Sequence, residues 1–400
     1  MEPLEDLRAR LQQWEQDGLL RTRRIVDGAC GPQLSVWGVD ASRRLLAFCS
    51  NDYLGLAAHP AVIAALIEGA RQLGVGAGAS HLISGHHRAH ERLEARLAAL
   101  QSPHIPECRA LLFGSGYLAN LGVLAALADR GSDIFSEELN HASLIDGIRL
   151  AGAQRKVYPH ADLAALDAML RASSAPQKFI VTDAVFSMDG DLAPLEPLLE
   201  LAHRRGAWLL VDDAHGFGVL GAQGRGSLAH HGLCSDRLIY MGTLGKALGV
   251  AGAFVAAHRT LIEYLVQRCR PYVFSTASPP ALAVALEEAL AIATGPEGES
   301  LRARLQQNIA RLRQALHVEP WRLLPSATAI QPVVIGENSR TMRAALALQD
   351  QGFWVAGIRP PTVPAGTSRL RVAVSAAHSA EQIDRLAAAL NALAAQHRGA

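Results

Sequence analysis

Short apolar runs alternate with longer helical segments through the middle of this chain. An unbroken apolar run is typical of a strand that is buried on both faces, and strand–helix alternation is typical of a mostly parallel sheet. The runs lie at residues 110–113, 133–136, 179–183, 208–211, 238–241 and 252–256. The pattern therefore predicts an α/β domain built on a parallel sheet.

Helical periodicity dominates on both sides of these runs. Apolar residues three and four positions apart predict helices over residues 4–20, 60–73, 89–101 and about 281–316. Two further apolar runs, 330–335 and 370–374, come before a final helix. Ser379 and Gln382 have the spacing of a capping box, so this helix is predicted to begin at Ser379.

These patterns predict three segments. The first is an N-terminal arm with a helix over residues 1–50, the second a large α/β domain over residues 51–285, and the third a small α+β domain over residues 286–400. A change of composition near Ser278-Pro279-Pro280 separates the last two.

Charge and cysteine content narrow the class of protein. A formal net charge of +1 gives no electrostatic basis for binding nucleic acid or an anionic membrane. The five cysteines are scattered, which is typical of reduced thiols and not of a disulfide framework or a zinc site. The acidic residues 1–6 lack the apolar core of a signal peptide, and no apolar run reaches membrane-spanning length. We therefore expect a cytoplasmic protein without a metal centre.

Lys246 has an unusual setting for a lysine. Of the 38 lysines and arginines in the chain only three are lysines, and Lys156 and Lys178 lie in polar surroundings. Lys246 lies among glycines and apolar residues in the segment 241–249. Burial disfavours an ammonium ion, which favours the free amine that covalent catalysis needs. A phosphate-binding lysine or a buried ion pair would explain the same segment, although no Walker spacing surrounds it.

Polar side chains follow several of the predicted strands, where ligands bind in parallel α/β sheets. Asp212 and His215 follow the run 208–211, His141 follows 133–136, and Ser187 follows 179–183. Taken alone, each fits a turn, a helix cap or a core histidine. Asp212 and His215 could also belong to a metal site, but the sequence has no third ligand at a spacing typical of metal sites.

The segment Gly114-Ser115-Gly116-Tyr117 has the order of a strand, a glycine turn and a helix start. This arrangement aims free backbone N–H groups at an anion, although a plain turn would have the same sequence. Successive strands are thus followed by groups of five kinds: a phosphate cradle, an imidazole platform, an acid, a second histidine and a lysine. Pyridoxal phosphate needs this set, because its phosphate, ring face, ring nitrogen and aldehyde each require one of these groups.

Together these segments resemble the α-oxoamine synthases, which are pyridoxal-phosphate enzymes of the aspartate-aminotransferase-like fold (fold type I). The resemblance runs from about residue 20 to residue 395. It is carried by the strings at residues 50–56, 185–191, 211–216, 223–226 and 358–364. It implies a large domain with a mostly parallel sheet and a smaller α+β C-terminal domain.

The resemblance also implies a role for each matching residue. Lys246 would hold the cofactor covalently, Asp212 would pair with the pyridine nitrogen, and His215 would meet the ring hydroxyl. His141 would stack on the ring. The phosphate would be bound by Gly116, Tyr117 and Thr243, the cofactor also by Ser187, and substrate by Arg21, His141, Thr362, Arg359 and Arg369. Arg359 and Arg369 are alternatives for the residue that recognises a carboxylate.

The implied reaction is the condensation of L-alanine with a pimeloyl thioester, carried by coenzyme A or acyl carrier protein, with loss of carbon dioxide. Family members that use glycine instead are an alternative. A binding protein that has lost catalysis is another, against which the retention of the whole set argues. The resemblance implies a homodimer with a shared active site, in which Ser275 and Thr276 would reach the partner's cofactor.

Overall fold

The computed structural model describes residues 3–37 and 42–397; the first two residues of the acidic N-terminus and positions 38–41 of the predicted arm lie outside them. The helices are α1 (Pro3–Gln16), α2 (Pro60–Leu73), α3 (Arg88–Gln101), α4 (Gly116–Leu127), α5 (Ala142–Ala151), α6 (Leu163–Ala172), α7 (Leu195–Arg205), α8 (Ser227–His230), α9 (Arg259–Arg268), α10 (Arg270–Val273), α11 (Pro280–Thr294), α12 (Pro296–Ala315), α13 (Asn338–Asp350) and α14 (Ala380–Gln396). The strands are β1 (Ile25–Asp27), β2 (Gln33–Trp37), β3 (Ser42–Ala47), β4 (Cys108–Phe113), β5 (Ser132–Glu137), β6 (Gln154–Tyr158), β7 (Gln177–Asp183), β8 (Trp208–Asp212), β9 (Leu238–Thr243), β10 (Ala253–His258), β11 (Arg322–Leu323), β12 (Ile330–Gly336), β13 (Phe353–Trp354), β14 (Ala356–Ile358) and β15 (Ser368–Ala373).

Two compact units divide the chain. The central unit comprises Leu54–Ser187 and Asp191–Ala303, and the terminal unit comprises Met1–Tyr53, Met188–Gly190 and Arg304–Ala400. The arm thus shares a unit with the C-terminal segment. The predicted limits at residues 50 and 285 differ from these unit limits, and the three-segment division stays a prediction.

The central unit is built on a seven-stranded sheet with the order β4-β10-β9-β8-β7-β5-β6. All neighbours are parallel except β10, which runs antiparallel to both β4 and β9. The six apolar runs of the sequence form β4, β5 and β7–β10, so the predicted mostly parallel sheet is confirmed. Strand β6 was not predicted, because its residues are mostly exposed at the sheet edge and form no apolar run.

The core of the central unit lies where α4, α5 and α9 pack on this sheet. Val123, Leu144 and Leu265 on the helices meet Ile134, Val181 and Val255 on the strands, and all are buried. Truncating one such leucine to alanine typically costs about 2–5 kcal/mol. This packing holds the carboxyl ends of β4, β5, β7, β8 and β9 along one rigid edge.

The terminal unit contains two four-stranded sheets, with the orders β1-β2-β3-β13 and β11-β12-β15-β14. The runs 330–335 and 370–374 form β12 and β15, as predicted. The last helix carries the predicted capping box, because Ser379 and Gln382 exchange backbone-to-side-chain hydrogen bonds of 3.2 and 3.0 Å. The arm helix α1 ends at Gln16 and not at residue 20, since Gly18 has a φ of 65° and turns the chain.

Among the described residues, none of the helices combines the length and apolarity that crossing a membrane requires.

Candidate active site

A cleft of about 200 Å³ lies at the carboxyl edge of the seven-stranded sheet. Its lining comes from segments that follow different strands, which is the usual ligand position in this architecture. The lining residues are Gly116, Tyr117, His141, Ser143, Asp183, Ser187, Asp212, Ala214, His215, Met241, Thr243 and Lys246. All the residues that the sequence predicted to bind a cofactor are therefore brought together in the central unit.

One end of the cleft is the N-terminus of α4. Ser115 caps this helix, because its hydroxyl accepts a hydrogen bond from Leu118 N at 3.2 Å. The N–H groups of the first helical turn have no partner inside a helix, and together with the helix dipole they attract an anion. A Cβ on Gly116 would lie 3.3 Å from the Met241 side chain, so glycine allows the start of α4 to pack closely against β9.

Two further groups shape the anion end. The Thr243 hydroxyl donates to Gly252 O at 3.1 Å and accepts from Gly245 N at 3.4 Å, which fixes its position at the end of β9. The Tyr117 hydroxyl donates to the Asp146 carboxylate, and this hydrogen bond raises the pKa of Tyr117. Tyr117 is therefore a neutral ring held over the mouth of the cleft.

His141 is the N-cap of α5 and presents a neutral ring to the cleft. Its Nδ1 accepts a hydrogen bond from Ser143 N at 3.3 Å and lies 2.7 Å from the Ser143 hydroxyl. Burial is the main cause that lowers the pKa of His141. The charge of Asp212 raises this pKa, and the charge of Lys246 lowers it. A neutral, restrained imidazole suits the predicted stacking role better than the role of a charged group.

Asp212 ends strand β8 and has both carboxylate oxygens occupied by donors. Asn120 Nδ2 donates to Oδ2 at 2.6 Å, and Ala214 N donates to Oδ1 at 2.9 Å. Asn120 Nδ2 also donates to the Ser143 hydroxyl at 2.9 Å. These donors fix the orientation of the Asp212 carboxylate at the end of β8.

Lys246 and His215 line the same cleft and lie close to each other. The Lys246 amine lies 2.9 Å from His215 Nε2. The sequence predicted a buried lysine, but Lys246 is half-buried because its amine end opens into the cleft. This exposure leaves room for a ligand carbonyl to reach the amine.

Sequence reasoning missed three polar residues of the cleft region. Asn120 lies in the second turn of α4, Ser143 lies in the first turn of α5, and Asp183 ends β7 beside Asp212. Asp183 could have been predicted from the sequence, because an acid at the end of an apolar run lies at the same sheet edge as Asp212. The contact of Asn120 with Asp212 spans 92 positions and leaves no local pattern.

The donor set of the cleft fits pyridoxal phosphate. The helix N-terminus accepts an anion, His141 offers a ring face, Asp212 offers a carboxylate, and Lys246 offers an amine. Lining atoms that the protein itself leaves unpaired agree with a polar ligand: Asp183 Oδ1 is buried and has no hydrogen-bond partner among the described residues.

The predicted substrate residues Arg21, Arg359 and Thr362 belong to the terminal unit. Arg359 donates to Leu20 O at 2.7 Å and to the Met342 sulfur at 3.0 Å, and its buried Nε has no partner among the described residues. Arg21 and Thr362 are exposed. A separate cavity of about 330 Å³ opens beside them, lined by Leu11, Trp14, Leu19, Leu20, Arg21, Pro360 and Pro361.

Arg369, the fourth predicted substrate residue, is held by the protein itself. It is 4% exposed, and its Nη1 donates to the Asp189 carboxylate at 2.7 Å and to Met188 O at 3.1 Å. Its Nε and Nη2 donate to the backbone and hydroxyl oxygens of Thr367. Arg371, two positions further along β15, donates to Asn51 Oδ1 at 3.2 and 3.3 Å and was not predicted.

Comparison with known proteins identifies close relatives of this architecture. The family "aminotransferase class I and II" matches residues 43–390. The 8-amino-7-oxononanoate synthase of Bordetella petrii is 59% identical over 393 residues, which is 98% of each chain. The enzyme of the same name from Janthinobacterium sp. (strain Marseille) is 58% identical over 390 residues, again 98% of each chain.

Solved structures agree with the fold. Serine palmitoyltransferase from S. paucimobilis, with a bound PLP–myriocin aldimine, superposes with a TM-score of 0.90 at 28% identity and 100% coverage of both chains. The 8-amino-7-oxononanoate synthase of Francisella tularensis superposes with a TM-score of 0.76 at 28% identity, covering 88% of this chain and 98% of that one.

Proposed function

The chain belongs to the class I and II aminotransferase family, as an α-oxoamine synthase of fold type I, and on this premise we propose that it is an 8-amino-7-oxononanoate synthase. It condenses L-alanine with a pimeloyl thioester to give 8-amino-7-oxononanoate, carbon dioxide and the free thiol carrier, a step of biotin biosynthesis. The observation that carries the proposal is the 59% identity over 98% of both chains, combined with a cleft that is lined by all the residues predicted to bind the cofactor within one chain.

The cofactor is pyridoxal phosphate. When bound, it supplies an electron sink for the carbanion that alanine forms on losing its Cα proton. Gly116 and Tyr117 would bind its phosphate through the N-terminus of α4, helped by Thr243. His141 would cover its ring, while His215 and Ser187 would contact the ring hydroxyl side.

The protein's own groups supply acid, base and orientation. Lys246 would hold the cofactor through its amine, and the same amine would serve as the base for the Cα proton of alanine. His215, 2.9 Å away, positions this amine. Asp212 would pair with the ring nitrogen, and Asn120 and Ala214 hold Asp212 in place at 2.6 and 2.9 Å.

The pimeloyl donor is proposed to use the apolar cavity of the terminal unit. Leu11, Trp14 and Leu20 supply an apolar wall, which suits a methylene chain, and Arg21 supplies a charge for a carboxylate. Arg359 is the better second anchor, because the donors of Arg369 are already engaged by Asp189, Met188 and Thr367. Thr362 would add a hydroxyl at the same loop.

The chain is proposed to act in the cytoplasm as a homodimer that shares its active sites. Ser275 and Thr276 are exposed, as contact with a partner's cofactor would require. The family members that use glycine, 2-amino-3-ketobutyrate CoA ligase and 5-aminolevulinate synthase, are the alternative. The names of the close relatives favour alanine over glycine.

A steady-state assay tests the proposal. Purified holoenzyme is given L-alanine or glycine with pimeloyl-CoA or pimeloyl-acyl carrier protein, and release of carbon dioxide and amino ketone is followed. We expect kcat/KM to be highest for L-alanine with a pimeloyl donor, with Lys246→Ala as the inactive control. Preference for glycine with a short acyl-CoA would replace the proposal by the alternative.

A further inference from the structure

Two aspartates end neighbouring strands of the central sheet. Asp183 closes β7 and Asp212 closes β8, and the two are direct partners in the parallel ladder. Both are buried, at 3% and 5% exposure. Two carboxylates so close together cannot both carry a charge without a large cost, so their surroundings decide which one is ionised.

Their hydrogen bonds differ in kind. Asp212 receives a donor on each oxygen, from Asn120 and Ala214. Asp183 receives a single backbone donor, from His141 N to Oδ2 at 3.2 Å. Its Oδ1 is buried and has no hydrogen-bond partner among the described residues. With one donor against two, an ionised Asp183 is stabilised less than an ionised Asp212, so a proton on this pair is held at lower cost by Asp183.

Burial and the neighbouring acids of Asp183 also favour its neutral form. Burial is the main cause that raises its pKa well above the usual range, and the neighbouring charges of Asp212 and Glu137 raise it further. Lys246 and the His141 amide oppose this rise without cancelling it.

We propose that Asp183 is a positioning residue that works as a neutral carboxylic acid. It holds the His141 backbone at the start of α5, and it leaves the pair with a single negative charge on Asp212. One charge matches one protonated ring nitrogen; a second charge would oppose proton release from Lys246 and attract a second cation into the cleft. This proposal rests on the proposed function only in taking the bound ring to be that of pyridoxal phosphate.

The protonation state can be tested without cofactor or substrate, on the purified apoprotein. If the folded state keeps a proton on Asp183 that the unfolded state loses above pH ~4, rising pH destabilises the native protein. Asp183→Asn removes this proton. The ratio of the unfolding constants, wild type over Asp183→Asn, should therefore rise about tenfold per pH unit, up to the folded-state pKa.

Asp213 provides a matched control, since it is fully buried next to the same pair. Its carboxylate accepts hydrogen bonds from Ser227 N, the Ser227 hydroxyl and Tyr240, and burial raises its pKa to about 6. In the window from pH 6 to 8 the ratio for Asp213→Asn should therefore be flat, while that for Asp183→Asn still rises. A flat ratio for Asp183→Asn in this window overturns the proposal.

Infrared difference spectroscopy gives the same information if unfolding is irreversible or a variant folds poorly. Burial raises the pKa of Glu94 to about 8, so Glu94 contributes a carboxylic-acid C=O band at pH 7 in both proteins, and only the wild-type minus Asp183→Asn spectrum reports on Asp183. This difference spectrum should contain the C=O band of a protonated carboxylic acid. Its absence means that Asp183 is ionised and the proposal is wrong.

The positioning role has a separate readout in cofactor affinity. Asparagine keeps an oxygen for His141 N and stays neutral, so Asp183→Asn should bind pyridoxal phosphate within about threefold of wild type. Asp183→Ala removes the acceptor and should raise the Kd about tenfold, the worth of one hydrogen bond. Equal losses in the two variants would exclude a role for the neutral acid. Failure of the alanine–pimeloyl assay would leave these outcomes untouched.

Discussion

The cleft of the central unit and the cavity of the terminal unit place their polar groups in opposite ways. In the cleft, Asp212 and Thr243 end strands, His141 follows one, and each is held by another protein group. In the terminal unit, Arg21 and Thr362 are exposed and lie outside helices and strands. Under the proposed function, the reacting groups thus lie on a rigid sheet edge, while the groups proposed to select the substrate lie on loops, which tolerate sequence change more readily.

The largest effect should come from the cleft at Lys246. Lys246→Ala removes both the covalent attachment and the base, so kcat should fall by at least ~10³-fold. Borohydride reduction of the wild-type holoenzyme, followed by peptide mapping, should label Lys246. Label on Lys156 or Lys178 would contradict the assignment.

Asp212→Asn should come next in size. The ring nitrogen loses the group that keeps its proton, and a charge interaction in a dry site is worth several kcal/mol, so a loss of more than ~100-fold in kcat is expected. Circular dichroism checks that the fold persists. A rate near that of wild type would show that another residue meets the ring nitrogen.

His141 should have a smaller effect, because stacking is worth about 1 kcal/mol. His141→Phe should keep cofactor affinity, and His141→Ala should raise the Kd by about tenfold, measured by absorbance titration. Activity that is abolished by a chelator and restored by zinc would mean that His141 is a metal ligand instead.

The smallest effect on the chemical step should come from the arginines of the terminal unit. Arg359→Ala should raise KM for the pimeloyl donor or alanine about tenfold, the worth of one charged hydrogen bond, with the cofactor spectrum unchanged. If both KM values stay within twofold of wild type, Arg359 is structural.

Arg369→Ala should contrast with Arg359→Ala, because Arg369 is already engaged by other groups of the protein. It leaves the Asp189 carboxylate without its ion-pair partner, and Asp189 is partly exposed to water, so the principal effect should be on stability, about 1–3 kcal/mol in denaturant unfolding. A normal free energy of unfolding with a raised KM would restore Arg369 as the carboxylate anchor.

Local pattern was sufficient for most of the central unit and for α14. The apolar runs gave the buried strands, and the Ser379–Gln382 spacing gave the start of the last helix. Pattern failed where burial is partial: β1 is a short exposed strand, β6 is an exposed edge, and β2 and β3 carry serine or arginine among their apolar residues.

In the candidate site, residue types were readable but partners were not. The strand ends indicated Asp212 and His141 because polar groups there follow apolar runs. The pairing of Arg369 with Asp189 spans 180 positions, so sequence could not tell an engaged arginine from an available one. Asn120 was missed for the same reason, because it is separated from its partner Asp212 by 92 positions in the sequence.

The bridging amide of Asn120 makes the cleft a mechanically coupled unit. One NH₂ group donates to Asp212 and to Ser143, and Ser143 holds the imidazole of His141. A disturbance on one side of the ring site is therefore transmitted to the other through a single side chain. Double-mutant cycles between Asp212 and His141 should be non-additive in the native background and closer to additive in Asn120→Ala, since the shared tether is gone.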